Sequence, residues 1–513
     1  MVDLDGDACY RALCARDARF DGRLFVGVKS TGIYCRPVCP ARTPKRENVV
    51  FYPTAAAAQA AGFRPCLRCR PETAPELGAW RGTSNTVGRA LSLIEAGALD
   101  EGDVEALAER LGVGERQLRR LFRQHLGASP VAVAQTRRVL LAKQLVHETE
   151  LPMAEVAMAS GFGSVRRFNE TFRALFGRPP GALRRGREAS APGPGGEVAL
   201  LLRYRPPYDW PAMLAFLRAR AVAGVEAVSD GEYARTIEVG GAVGTVAVRP
   251  AEGRDALRAL VRLPRLSALP FVIARLRRLF DLAADPLAIG AQLAEDPALA
   301  PLVAARPGLR VPGAWDGFEL AVRAVLGQQI SVAAAVTLAR RIAAAYGEPL
   351  PRAGAGPGGA TSGLTRLFPR PARLASADLG PLGLPSKRAA AIASLAAAAA
   401  ADPQLFGVGR SLEAAVAELR ALPGVGEWTA QYIAMRELRE PDAFPAADVG
   451  LMRALADAEG GRPSPSALLA RAERWRPWRA YAAQHLWASD SLGRSLGGSN
   501  EGRPARREAK TAA

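Results

Sequence analysis

The stretch LPGVGEWTAQYIA (residues 422–434) decides how the C-terminal half is read. Leu-Pro-Gly-Val-Gly lies between two segments of helical apolar spacing, so it reads as a tight hairpin joining two helices. Gly424 and Gly426 leave backbone N–H groups bare near a helix N-terminus, which suits an anionic phosphate. Twenty-four residues after Gly424, AADVGLMRA supplies Asp448. Two readings of Asp448 compete: a helix N-cap, common for Asp at such a boundary, and a reacting carboxylate.

Working outward, residues 281–495 keep a helical pattern, interrupted by RAGAGPGGATSG (352–363), which is expected to be disordered. Before them, EVALLLRY, ARTIEV and GTVAVRP read as strands, with PAMLAFLRARAV as a helix between, giving a small α+β domain over 197–280. Residues 187–196 are a Gly/Pro linker and 496–513 a polar, basic, disordered tail. Residues 84–186 read as helices only. VEALAERLGVGERQLRRLFRQHLG turns at Gly112–Gly114 and MAEVAMASGFGSVRRFNETFRALFGRPP turns at Ser160–Ser164, with VAVAQTRRVLLAKQLV joining these two helix-turn-helix units. Second helices of such units enter the major groove. Arg116, Gln117, Arg119 and Arg120 would face one groove, and Ser164, Arg166, Arg167 and Asn169 the next. The alternative is that some of these arginines touch only phosphate or water.

All six cysteines lie in the first 69 residues, inside a module spanning 1–75. Cys35, Cys39, Cys66 and Cys69 are spaced C-x3-C, then 26 residues, then C-x2-C, which suits a tetrahedral Zn2+ tetrathiolate. A redox reading of PCLRC lacks the βαβ context it needs. Cys9 and Cys14 do not share a helix face and read as buried or free thiols. Arg36, Arg42, Lys45 and Arg46 flank the site as phosphate contacts or as a solvated basic loop.

At 513 residues the chain is expected to form three or four domains, and 49% apolar content suffices for packed cores. Sixty-eight basic against 50 acidic residues, a net +18, favours a polyanionic partner, although the arginine-rich composition of a GC-rich genome adds to that charge. The Ala run at 396–401 is too short to span a membrane and is followed by Asp402. The N-terminus has no signal-peptide core, so a soluble cytoplasmic protein without a membrane partner is expected.

Three stretches carry resemblances. DARFDGRLFVGVKSTGIYCRPVCPAR and ENVVFYPTAAAAQAAGFRPCLRCRPE, nearly all of 5–72, resemble the zinc domain of the Ada methylation-response proteins. That resemblance implies that Cys35 accepts a methyl group from a DNA methylphosphotriester. A metal-bound thiolate is a nucleophile at neutral pH. The tetrathiolate is formally dianionic and becomes monoanionic on methylation, which should favour DNA binding. Residues 84–186 resemble the AraC transcription factors through A-x2-SGF-x5-F-x3-F-x4-G-x-P. The hairpin with Asp448, FELAVRAVLGQQISVAAA (318–335) and RWRPWRAYAAQHLW (474–487) resemble the helix-hairpin-helix glycosylases of AlkA type, over about 197–495.

The implied fold is multidomain: a small α+β zinc domain, an all-α double helix-turn-helix domain, an α+β AlkA N-terminal-like domain and an all-α helix-hairpin-helix glycosylase domain. The implied activity is release of alkylated bases such as 3-methyladenine, with Asp448 as catalytic carboxylate stabilising an oxocarbenium-like sugar. Trp428, Tyr432 and Trp487 would form the aromatic cleft, whose ring faces attract cationic purines and stack a flipped nucleotide. A monovalent cation at the hairpin is implied as well. Lyase members of this superfamily carry a lysine where this chain has Trp428, and no four-cysteine cluster loop follows, so a monofunctional glycosylase is expected. Gln329 stands where an apolar wedge is found in relatives. No cysteine follows Cys69, so guanine-O6 methyl transfer is not expected. Partners would be double-stranded DNA, alkylated and operator, and RNA polymerase if transcription is activated. Two rivals stand: a repair glycosylase whose N-terminal half only tethers it to DNA, and a regulator whose glycosylase half has decayed.

Overall fold

The parallel pairing of Ile33–Cys35 with Arg64–Pro65 brings Cys35 and Cys66 to neighbouring strand ends. These strands belong to a four-stranded sheet that continues through Phe25–Val28 to Val49–Tyr52, otherwise antiparallel. The computed structural model describes residues 5–75, 85–100, 102–184, 197–351, 359–407, 411–456 and 460–497. The linker at 187–196, residues 352–358 of the interrupting loop and the tail from 498 lie outside the described residues.

Both helix-turn-helix units form as read. Val104–Arg110 and Glu115–Leu126 make the first, and Met153–Ala159 and Val165–Phe176 the second. Pro130–Glu148 joins them, N-capped by the Ser129 side chain. Their cores differ. The first unit closes its own core around Ile94, Leu107, Leu118 and Phe122. In the second, Phe162, Phe168 and Phe172 belong to one apolar cluster with Val198, Leu200 and Leu202 of the next domain. Separating them would expose several large side chains, each worth about 1.5–3 kcal/mol. The second unit therefore shares its core with that domain.

That next domain is a five-stranded antiparallel sheet in the order Glu197–Arg203, Ala256–Arg262, Ala242–Pro250, Glu232–Val239, Glu226–Ser229, with the helix Trp210–Arg218 after the first strand. The alternating burial of EVALLLR is that of a half-buried strand. Two of the strands were not anticipated. EAVS is too short for a pattern, and ALRALVR fits helical as well as strand spacing.

The remaining helices surround Gly317–Leu326, which is buried along nearly its whole length. The second hairpin helix, Glu427–Arg436, packs on its flank with the first, Leu412–Arg420, against it, and Arg479–Gly497 packs beside Val449–Ala454 at the site. Among the described residues, no helix is long and apolar enough to cross a membrane.

Candidate functional site

The hairpin glycines have different reasons. Gly424 has φ +80°, and a Cβ there would lie 2.3 Å from the Ala391 Cβ. Gly426 is the N-cap of Glu427–Arg436 without a side-chain cap, and a Cβ there would meet nothing within 4 Å. The first N–H groups of that helix therefore have no side-chain cap, as an anion site requires.

Trp428 and Tyr432 lie one turn apart on this helix and stack at 5.1 Å with 10° between planes. Trp487 meets Tyr432 edge-on at 6.4 Å. Asp448 serves both of its readings. Its Oδ1 accepts from Leu451 N at 3.0 Å, capping Val449–Ala454, and from Trp487 Nε1 at 2.8 Å. Its Oδ2 accepts from Trp428 Nε1 at 2.8 Å. Three N–H donors thus fix the carboxylate plane between two indoles, at the wall of a cleft of about 1640 Å³. That volume exceeds the 300–1,000 Å³ or so of an ordinary ligand pocket, leaving room for a nucleotide and its backbone.

The cleft runs between the two C-terminal domains, from Phe216 and Arg220 to Trp428, Asp448 and Trp487. Burial opposes ionisation of the Tyr432 phenol, but the guanidiniums of Arg436 and Arg220 outweigh it and hold the phenol below its ordinary value. Arg436 Nη1 donates to the Tyr432 hydroxyl at 2.6 Å. Gln329 sits exposed at the tip of the loop after Gly317–Leu326, with φ +58°. A left-handed conformation is costly for a non-glycine residue, so the loop must be held. Gln328, which sequence reasoning passed over, holds it: its Nε2 donates to Gly424 O at 2.9 Å and Thr429 Oγ1 at 3.0 Å. Its twin position in Gln-Gln was the available signal.

In the N-terminal module the sulfurs of Cys35, Cys39, Cys66 and Cys69 lie within 4.8 Å of one another. Four soft donors this close, from two separate turns, fit a tetrahedral zinc ion. Cys35 has its ligand side buried but is partly exposed as a residue, whereas the other three are buried. The hydrogen bonds among the thiols, with Cys39 foremost, push Cys35 up, while those led by Cys35 pull Cys66 down. Backbone N–H groups of Arg36 and Arg68 reach the sulfurs of Cys69 and Cys66 at 3.4 and 3.3 Å.

Arg36 is not a free phosphate contact. Its guanidinium is paired with Asp21 and donates to Cys69 O at 3.2 Å and Thr73 Oγ1 at 2.6 Å. It braces the ligand loop. Arg42, Lys45 and Arg46 are exposed beside it, although Arg46 also approaches Asp7 at 3.4 Å. Cys9 is buried and Cys14 exposed, away from the cluster. On the helix-turn-helix units, Arg116, Gln117, Arg120, Ser164, Arg166 and Arg167 are exposed, and Arg119 and Asn169 partly so. Arg119 and Arg166 pair with Glu115 and Glu170 one turn along.

These features define a DNA-repair glycosylase joined to a metal-binding, helix-turn-helix DNA-binding half. Four family models match: the metal binding domain of Ada (8–72), a helix-turn-helix domain (107–186), the AlkA N-terminal domain (199–316) and the HhH-GPD superfamily base excision DNA repair protein (322–480). The chain is 45% identical over 490 residues to the probable bifunctional transcriptional activator/DNA repair enzyme AlkA of Mycobacterium tuberculosis, covering 94% of this chain and 96% of that one. It is 39% identical over 295 residues to DNA-3-methyladenine glycosylase 2 of Escherichia coli, covering 56% of this chain and 96% of that one. A 3-methyladenine DNA-glycosylase structure from Archaeoglobus fulgidus shares the fold at 21% identity and TM-score 0.50, covering 58% of this chain and 99% of that one. The chain belongs to the AlkA family of bifunctional transcriptional activator/DNA repair enzymes.

Proposed function

We propose that this chain hydrolyses the N-glycosidic bond of alkylated bases such as 3-methyladenine in double-stranded DNA, without cutting the backbone. The observation that carries this is the Asp448 carboxylate clamped between Trp428 and Trp487 in an open cleft. A flipped nucleotide stacks on the aromatic rings, and its C1′–N bond breaks with the electron pair leaving on the base. Positive charge then develops at C1′ and the ring oxygen, where the fixed carboxylate stabilises it. Water adds to C1′ and its released proton returns to solvent or base. With Trp428 in the lysine position, no amine is offered to C1′ there, which supports hydrolysis without lyase chemistry. Base release from methylated DNA by the whole protein tests the proposal. A strand break arising without added base would contradict the monofunctional part.

The proposal extends to the N-terminal half. The Cys35 sulfur attacks the methyl carbon of a DNA methylphosphotriester, and the phosphate leaves as an ordinary diester anion. Cys39, Cys66 and Cys69 would hold zinc with it, and the bound ion would keep Cys35 a thiolate at neutral pH. Relief of one negative charge then promotes operator binding and transcription activation, with RNA polymerase as partner at the promoter. The reading also includes a monovalent cation at the hairpin and a cytoplasmic location with the DNA. Mass spectrometry after incubation with methylated DNA should find the methyl on Cys35. A methyl only on Cys39, Cys66 or Cys69 would overturn the assignment.

A further inference from the structure

The two faces of the five-stranded sheet are used unequally. Side chains directly opposite each other in the ladder share a face. One face sends Val198, Leu200, Leu202, Leu257 and Ala259 into the core shared with the second helix-turn-helix unit. On the other face, Leu350 and Leu364 pack over Ala234, Ala247 and Leu260. Beyond that cover the same face bears arginines. Arg258 lies opposite Arg249 on one side and opposite Leu201 on the other, and Arg203 is two residues along from Leu201. Arg249 and Arg258 are exposed and Arg203 is half-buried, while Arg254 is exposed in the hairpin joining Ala242–Pro250 to Ala256–Arg262.

These cations are unspent. Among the described residues, none of the four makes an ion pair or a side-chain hydrogen bond, not even with Glu252 or Asp255 of the same hairpin. Like charges set directly opposite on a sheet are destabilising. Arg203 adds a second cost, because its Nε is buried without an acceptor. The strip also runs on to the zinc module. Arg36 and Arg70, which follow the ligands Cys35 and Cys69, lie close enough to repel Arg203, as does Arg254, and Glu148 attracts it. Arg36 and Arg70 are already paired, with Asp21 and with Glu72 and Glu148. The charge left over at this seam is that of the sheet.

A row of unpaired guanidiniums fits a row of phosphates, which accept from the planar fork. Arg203, Arg258 and Arg249 come from three neighbouring strands about 4.8 Å apart, so the row spans about 10 Å, the axial length of about three phosphates of one DNA strand. None of the three lines the glycosylase cleft. We propose that Arg203, Arg249 and Arg258 form a docking strip for the phosphate backbone of the duplex whose methylphosphotriester meets Cys35, so that the α+β domain serves the zinc module as well as the cleft. The inference rests on the methyl-acceptor reading of Cys35 and assigns a partner to a surface outside that site.

The test follows methyl transfer to Cys35 at sub-saturating methylphosphotriester duplex, between 50 and 200 mM salt, alongside single-turnover 3-methyladenine release at saturating protein. Wild type is compared with the double variant Arg249→Ala/Arg258→Ala, its counterpart Arg249→Lys/Arg258→Lys, and Arg203→Ala, with melting midpoints as a folding control. The double alanine variant should lose about two phosphate contacts, lowering the slope of log rate against log salt by about 2 and slowing transfer about tenfold or more at the lower salt. The lysine pair should restore most of both, since a phosphate contact reads charge. Arg203→Ala should lower the slope by about 1 and leave the melting midpoint unchanged or higher, because it removes a cation without a counter-charge. Base release should be unchanged in all variants. Transfer rate and slope like wild type in the alanine variants would overturn the proposal. So would an equal loss of base release, or a melting midpoint lowered by Arg203→Ala, which marks a structural role. Wild type that takes up no methyl would defeat the methyl-acceptor reading itself, and the strip with it.

Discussion

The zinc centre and the glycosylase cleft are built in opposite ways. The four sulfurs come from residues 35 to 69, and one short sheet with its following turns brings them together. The cleft draws on Phe216, Arg220, Gln328, Trp428, Asp448 and Trp487, from two domains and both sides of a central helix. A local site needs only its own module. A distributed site fails when the packing between modules fails.

The largest test of this difference is loss of the metal cluster. Chelation, or Cys66→Ser, should abolish methyl uptake, because a structural metal site contributes folding energy directly. Base release should persist, measured on the same alkylated DNA. A parallel loss of both activities would break the comparison.

A second test acts between the modules. Lys143 on the joining helix is fully buried, and its Nζ donates to Glu72 Oε2 at 2.6 Å and to the carbonyl of Cys66 at 2.9 Å. Arg70 joins Glu72 to Glu148, whose Oε2 accepts from Leu201 N at 3.3 Å on the edge strand of the α+β domain. Lys143→Met leaves Glu72 short of a partner and should cost about 3 kcal/mol by denaturant melting. Lys143→Met with Glu72→Leu should recover much of it.

A smaller effect is expected at the hairpin. Gly424→Ala places a Cβ against Ala391 at positive φ, costing about 1–3 kcal/mol and weakening DNA binding measured by titration. The smallest concerns pH. Burial, opposed by Arg89, pushes the Glu440 carboxyl from 4.5 to about 7. The folded state therefore binds the extra proton between these values, and stability falls as pH rises from 4.5 to about 7, with the full penalty above it. Glu440→Gln should raise the melting midpoint at pH 8 by more than at pH 5.

What was legible in the sequence follows the same division. The tetrathiolate is written in spacings of three and two residues around a 26-residue gap, so the cluster was readable without a fold. The Trp428–Tyr432 pair was readable because one helical turn places both on one face. Asp448 was readable only as a choice, and the structure makes it both cap and cleft carboxylate. Arg36 was misread because a basic loop residue carries no mark of its partner, Asp21, in the segment before the first strand. Arg220 lies one turn after Phe216, a local contact, but its approach to Tyr432 in another domain leaves no mark in FLRARAV. The core shared by the second helix-turn-helix unit and the sheet spans the linker, and no periodicity reports contacts of that range.

The most direct test of the central claim compares wild type with Asp448→Asn for 3-methyladenine release from methylated duplex, while methyl transfer to Cys35 is followed in the same reaction. The asparagine keeps the shape of the side chain and removes its charge. Base release should fall by about 10²–10³-fold or more, with Cys35 methylation unchanged. Full base release by Asp448→Asn would contradict the account.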